Sequence, residues 1–308
     1  MGAPLSSFPG GVLSAGVPIF GNDPLGFTPG KVIWVDPTNG SDSFSGTRDN
    51  PVQTLAGANT LATAGNGDII VVLPGTYTLT ATLSPKKYTR WVPAILRGSY
   101  PTVLVTGNIA SLVDVEVDGV QFDGFGFTSG GNTNTSLILV ANTANVLSFS
   151  LTRCYLDAGS TTTSYAINAT AAATSMRYAT IGWNLFTDTF NTAAIGIGAN
   201  GMRGTDIIVN RIGVKATCTG INLADTTAIT VGKWARIAWN TFQQALGAAS
   251  TDKAITIAGT QHTTAEVAIH DNRSVYLAAA GTTQAKINYA IIENFGGDVA
   301  TGGTLWAP

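Results

Sequence analysis

Seven short segments between Asp118 and Phe295 repeat one pattern, and this recurrence narrows the possible folds more than any other feature of the chain. They are Asp118-Gly-Val-Gln-Phe122, Arg153-Cys-Tyr-Leu156, Trp183-Asn-Leu-Phe186, Val209-Asn-Arg-Ile212, Trp239-Asn-Thr-Phe242, Asp271-Asn-Arg-Ser-Val275 and Glu293-Asn-Phe295. Aligned on Asn184, the equivalent positions are Val120, Cys154, Asn210, Asn240, Asn272 and Asn294, at steps of 34, 30, 26, 30, 32 and 22 residues. A fixed signature at variable spacing is what stacked coils with loops of different length produce. Each segment sets apolar residues at alternate strand positions, then an Asn, then an aromatic or aliphatic residue expected to point inward. Asn184, Asn210, Asn240, Asn272 and Asn294 are therefore expected to form a structural ladder. Their amides would hydrogen-bond to coils roughly 4.8 Å above and below.

The most specific local segment is Lys31 to Tyr77, KVIWVDPTNGSDSFSGTRDNPVQTLAGANTLATAGNGDIIVVLPGTY. A strand at Lys31 to Val35 leads into a loop rich in turn residues, Asp36 to Asp42. Thr54 can cap a short helix in which Leu55, Ala58, Leu61 and Ala62 recur at helical spacing, and Gly65-Asn66-Gly67 ends it. Asp68 to Leu73 is a continuous β-branched run stopped by Pro74-Gly75, as in a strand buried within a parallel stack. The elements V-D-x-x-N-G-S-D, S-G-T-x-x-x-P, a short helix and G-D-x-I-x-V-x-P-G-T-Y resemble the N-terminal start of the pectate-lyase-like right-handed parallel β-helix proteins. The resemblance implies an all-β solenoid whose short helix caps an end that would otherwise expose strand edges and core. It implies no particular chemistry, because that superfamily includes lyases, hydrolases, phage tailspikes and inert structural proteins.

On this reading residues 1–30 form an extended Gly/Pro-rich anchoring arm, 31–77 the cap and first strands, 78–295 the coils, and 296–308 a tail whose Trp306 would pack as an anchor. A solenoid explains how 308 residues can lack a polar linker between two cores. Charged residues are only 11% of the chain and its formal charge is −2, with the basic residues scattered singly, so no concentrated face for nucleic acid is expected. No run approaches the roughly 20 apolar residues of a membrane helix. The first thirty residues lack the uninterrupted apolar core of a secretory signal, so assembly in a host cytoplasm is expected. Cys154 and Cys218 have no neighbours at metal-ligand spacing and read as buried free thiols.

Several carboxylates are candidates for chemistry. Asp114, Glu116 and Asp118 alternate with Val113, Val115 and Val117, which on a strand would set three carboxylates on one outward face, either solvated or holding calcium. Asp123 and Asp157 follow Phe122 and Leu156, so the repeat alignment would place them near one another on adjacent coils. Such a pair suits acid–base cleavage of a glycosidic bond, while either Asp equally suits a turn that binds its own backbone. Arg153 and Arg177 are the basic residues near these coils and match no lyase motif, and His262 and His270 stand apart from any carboxylate–histidine pattern. No catalytic residue, metal or cofactor is assigned.

The arm carries Leu5, Phe8, Val12, Leu13, Val17, Ile19, Phe20 and Phe27, apolar groups that cannot build a core of their own and call for a partner surface. With a neutral, Thr/Ala/Gly-rich solenoid behind it, the chain is similar to phage decoration and tailspike proteins. That resemblance implies a bacteriophage virion structural protein, a capsid decoration or stabilising protein anchored to other virion proteins and assembled as a homotrimer. The alternative is a tailspike-like β-helix that binds or cleaves polysaccharide, and a third reading is a non-catalytic glycan-binding adhesin, for which a shallow outer groove with exposed Tyr or Trp would be the mark. Tyr88, Trp91 and Tyr100, beside Pro93 and Pro101, would close the stack or face a neighbouring subunit.

Overall fold

In the computed structural model the described residues are 12–14, 17–20 and 30–275, except 96–100, 132–133, 160–162, 172–173, 188–189, 199–201, 215–217, 224–232, 245–252 and 258–265. The chain is a parallel β-helix. Strands stack coil upon coil into a nine-stranded, an eight-stranded and a six-stranded sheet, with a three-stranded one at a corner. Each short strand pairs in parallel with its counterpart one coil away; Leu151, for example, lies opposite Phe122 on one side and Ile181 on the other. Because successive strands of one coil belong to different sheets, the alternation of side chains sends one apolar row into a shared core.

The core runs the length of the coils as one cluster from Ile33 to Ile269. Its early part is aromatic. Trp91 stacks on Phe122 with ring centroids 5.7 Å apart, Phe125 and Phe127 meet Phe122 edge-on at 5.8 and 5.6 Å, and all four are almost fully buried. Trp91 is thus a core residue and not part of an interface. Tyr88 is exposed, and Tyr100 lies outside the described residues.

The segment from Lys31 onward forms the elements its residues favour. Thr54 accepts the Gly57 N–H at 2.9 Å and caps the helix Leu55–Leu61, whose Leu55 and Ala58 are buried. The motif carboxylates hold backbone. Asp36 accepts the N–H groups of Thr38 and Asn39, Asp42 those of Gln53 and Thr54, and the fully buried Asp68 those of Lys31 and Thr63. That usage explains why the motif specifies shape and not chemistry. Lys86 and Lys87 both have partners: Lys86 Nζ donates to Thr60 O at 2.9 Å, and Lys87 pairs with Asp118 at 2.9 Å.

Val12–Ser14 pairs antiparallel with Val17–Phe20, a departure from a fully extended arm. Val12, Leu13, Val17, Ile19 and Phe20 lie in that hairpin, with side chains outside the described set. Leu5, Phe8 and Phe27, like the tail 296–308, lie outside the described residues altogether.

Candidate functional site

Between the nine-stranded and eight-stranded sheets the chain turns a corner in two residues. The first is left-handed: Arg153, Trp183, Val209, Trp239 and Asp271 have φ of 53, 57, 55, 56 and 53°. The second faces inward, and at Asn184, Asn210, Asn240 and Asn272 it builds a continuous amide ladder. Asn210 Oδ1 accepts both the backbone N–H and the Nδ2 of Asn184 at 3.0 Å, and Asn240 Oδ1 accepts the same two groups of Asn210 at 2.9 Å. Asn272 Oδ1 does so for Asn240 at 3.0 Å, while each Nδ2 also donates to a strand carbonyl of the preceding coil, as Asn210 does to Ile181 O at 2.9 Å. Every polar atom of a buried amide is satisfied, so the ladder costs nothing in stranded donors and locks the corner. Cys154 takes this position one coil earlier, its backbone N–H bound to Asn184 Oδ1 at 2.8 Å. Its thiol is pushed up to about 12 by burial and is inert as a nucleophile.

The coil before Cys154 corrects the repeat alignment. Tyr155 N–H bonds to Phe125 O and Leu185 N–H to Cys154 O, so Phe125, not Val120, occupies the ladder position. Val120 sits at the other end of its strand, level with Phe149, and Asn294 lies outside the described residues.

The left-handed residue turns its side chain away from the core. Trp183 is 53% and Trp239 46% exposed, large apolar surfaces that a core-forming pattern would not leave in water. Arg236 lies over the Trp239 ring at 5.3 Å and His270 meets its edge at 5.2 Å, which fixes that indole.

A second left-handed column runs along the opposite border of the nine-stranded sheet through Tyr88, Gly119, Ser148, Tyr178 and Gly204. Here glycine serves two purposes: Gly119 and Gly204 adopt positive φ, and a Cβ on either would collide with the ring of Tyr88 or Tyr178. Each tyrosine thus rests on a glycine of the next coil, and Tyr178 is 50% exposed.

Between the two columns lies the outer face of the nine-stranded sheet. Its central rows, in register, are Gln121, Ser150, Thr180, Asp206 and Arg236, beside Asp123, Thr152, Gly182, Ile208 and Ala238. Ion pairs bracket a hydroxyl-rich, low-relief middle. At one end Asp123 receives both Nε and Nη2 of Arg153 and the Thr152 hydroxyl, with Arg90 at 4.0 Å. At the other, Arg236 grips Asp206 through two bonds of 3.0 Å.

This geometry separates the proposed carboxylate pair. Asp123 belongs to the nine-stranded sheet, opposite Thr152, whereas Asp157 belongs to the eight-stranded sheet, opposite Thr128 and Thr187. The error follows from the misaligned coil: with Phe125 on the ladder, Leu156 is level with Phe127 and not with Phe122. Asp157 accepts Gly159 N–H at 3.0 Å, a turn that binds its own backbone. Asp114, Glu116 and Asp118 do not form one row either, for the strand ends at Val115. Glu116 takes the N–H groups of Asn142, Thr143 and Ala144, and Asp118, held below its ordinary range by the Lys87 ammonium, also accepts Leu147 N–H. Burial, with the neighbouring Glu116 charge, pushes the Asp114 carboxyl up to about 6. Among the described residues no three His, Cys, Asp or Glu side chains gather as metal ligands. Arg177 donates to Ser175 Oγ at 2.7 Å, His270 lies 2.8 Å from Asp271, and His262 is outside the described residues.

The sequence assigns no side to Trp183 and Trp239, whose exposure only the structure shows. The signal available was Trp immediately before Asn at two equivalent positions, which alternation alone cannot assign to inside or outside because the corner breaks the strand.

No family model matches the chain, and no curated protein matches it. Among solved structures it is similar to a PL6 family alginate lyase, AlyGC, at 12% identity and TM-score 0.46, covering 81% of this chain and 40% of that one. It is also similar to a rhamnogalacturonan lyase, at 16% identity and TM-score 0.37, covering 84% and 66% of the two chains. A GH136 lacto-N-biosidase from Eubacterium ramulus matches at 9% identity and TM-score 0.21 over 79% and 68%. The chain therefore spans 40% of the length of the alginate lyase and 66% of that of the rhamnogalacturonan lyase.

Proposed function

We propose that the chain is a glycan-binding β-helix that holds an extended polysaccharide across the outer face of the nine-stranded sheet. The observation that carries this reading is the presence of half-exposed Trp183, Trp239, Tyr178 and Tyr88 on the two borders of a hydroxyl-lined face. Pyranose rings present axial C–H groups that pack on aromatic faces, and their hydroxyls exchange water for Ser, Thr, Asp and Arg. Trp183 and Trp239 stand two coils apart, about 10 Å at the usual interstrand spacing, on the order of a disaccharide repeat. Binding without cleavage fits the carboxylates best: Asp123 is saturated by Arg153 and Thr152, and Asp157 lies on another sheet. A virion-anchoring role rests on residues 1–30, whose side chains lie outside the described residues, so the solenoid's own surface favours the glycan reading.

The test is affinity electrophoresis and calorimetry against a panel of neutral and acidic bacterial polysaccharides, with product analysis of the same mixtures. Trp183→Asn and Trp239→Asn remove the rings while keeping a residue that tolerates positive φ. Each is expected to weaken binding about tenfold, on the order of 1–1.5 kcal/mol, with the melting temperature unchanged. Retained affinity in the double variant would overturn the site, and release of shortened chains would overturn the non-catalytic reading.

A further inference from the structure

The three long sheets begin differently at the helix-bearing end. The nine-stranded sheet starts with Val32–Val35, whose outer edge is paired by the following loop: Trp34 N–H to Gly46 O at 2.7 Å, Val52 N–H to Trp34 O at 3.0 Å and Asp36 N–H to Val52 O at 2.9 Å. The six-stranded sheet starts with Ser111–Val115, met on its edge by Leu83, which donates to Leu112 O and accepts from Asp114 N–H, both at 2.9 Å. The eight-stranded sheet starts with Gly75–Thr78, and among the described residues no further strand pairs beside it.

The bonding of that strand shows which groups face outward. Gly75 donates to Thr102 O at 2.9 Å and Leu79 to Thr106 O at 2.7 Å, so the odd-numbered residues serve the next coil. In a parallel ladder the intervening Thr76 and Thr78 direct their N–H and C=O groups to the opposite side. None of these groups is hydrogen-bonded among the described residues. They open into a groove whose far wall is the helix, with Thr54, Ala56 and Thr60 facing Thr76, Thr78 and Thr80. Pro37 packs against Gly75 at one end, and at the other Asn59 closes the groove by donating to Ser84 O at 2.8 Å and accepting Lys86 N–H at 3.2 Å. The lining contains no charged side chain.

We infer that this groove is a strand-acceptor site, in which an extended, uncharged polypeptide segment adds to the eight-stranded sheet along Thr76 and Thr78. Alternating donors and acceptors two residues apart are the complement of a β-strand backbone, which makes polypeptide the occupant that satisfies both. About five residues of extended chain span the open edge. The absence of charge in the lining, together with its run of threonine hydroxyls, favours a segment rich in Thr, Ser, Val or Ala over a charged one. Among the described residues the other two long sheets have their edges covered at this end, as expected of a fold that guards against uncontrolled strand addition, and the edge left open among them is flanked by a helix that limits what can enter.

The probe is a capped heptapeptide of alternating Thr and Val, titrated into the full chain and followed by backbone amide resonances, with the same peptide N-methylated at alternate amides as control. The heptapeptide is expected to shift Thr76 and Thr78, and the N-methylated form to bind at least about tenfold more weakly. Thr78→Pro removes only the groove-facing N–H, a change that edge strands accept, and should cost at least about tenfold in affinity with the melting temperature held. Ala56→Arg narrows the groove from the helix side and gives the same expectation without touching the strand. Unchanged binding in Ala56→Arg or to the N-methylated peptide would overturn the proposal. So would shifts at Thr76 and Thr78 produced by maltohexaose and not by the peptide, or self-association at high concentration that Thr78→Pro abolishes. The readout is independent of Trp183 and Trp239, so it stands or falls apart from the glycan site.

Discussion

One corner of the solenoid is built from two different interiors. In the early coils the ladder position holds Phe125 and then Cys154, and the fill is aromatic, Phe125 stacking on Phe127 at 6.0 Å. From Asn184 onward the same position is a buried amide, and the fill is a hydrogen-bonded chain. The outward residue is left-handed in both stretches, Gly124 at φ 79° in the first and Trp183 at 57° in the second. Backbone shape at the corner is thus independent of what occupies its interior, provided the space is filled or the polar groups are paired. The two solutions differ in how they fail.

Phe125→Ala should have the largest effect, about 4 kcal/mol in chemical denaturation, because the ring is fully buried and its removal leaves a cavity among Phe122 and Phe127. A loss under about 1 kcal/mol would show that the aromatic interior is loosely packed and that the comparison has no energetic content. Asn210→Leu, which keeps the number and branching of the side-chain heavy atoms, should cost about 3 kcal/mol by a different route. It leaves the Asn184 backbone N–H and the Ile181 carbonyl without the partners that Asn210 provides. If Asn210→Leu were neutral, the ladder would be filling space as the aromatics do.

The smallest effect concerns pH and lies outside the corner. Asp114 titrates near 6 in the folded chain against 3.8 for the free carboxyl, so between those values the folded state binds more protons than the unfolded one. Its contribution is fully present below about pH 3.8 and fades as pH rises through about 6, about 1 kcal/mol after screening by solvent at this half-buried site. Asp114→Asn should remove that slope and raise stability above pH 6, as followed by thermal melts from pH 4 to 8. An unaltered slope would place its origin in another group.

Much of the architecture was legible in the residues. Parallel stacking followed from the recurring strand signature, and the helix Leu55–Leu61 from Thr54 and its spaced Leu and Ala. What misled was the early repeat. Phe125 and Cys154 replace Asn on the ladder, so an alignment anchored on Asn slid to Val120 and set Asp123 level with Asp157. Short strands at variable intervals give no internal ruler, and a register off by a few residues moves a side chain to another sheet. The outer aromatics were hidden for a related reason: alternation predicts direction along a strand, and Trp183 and Trp239 stand where the strand has stopped.

The corner has a consequence for how such a surface can change. Gly124, Arg153, Trp183, Val209, Trp239 and Asp271 occupy equivalent left-handed positions although they share neither size nor charge. The aromatic, thiol or amide side chain behind each one fills the corner, leaving the projecting group free of any duty to the interior. Recognition laid out on such positions is editable one letter at a time, at a pitch of one coil, so a change of target requires new projecting groups and no new scaffold.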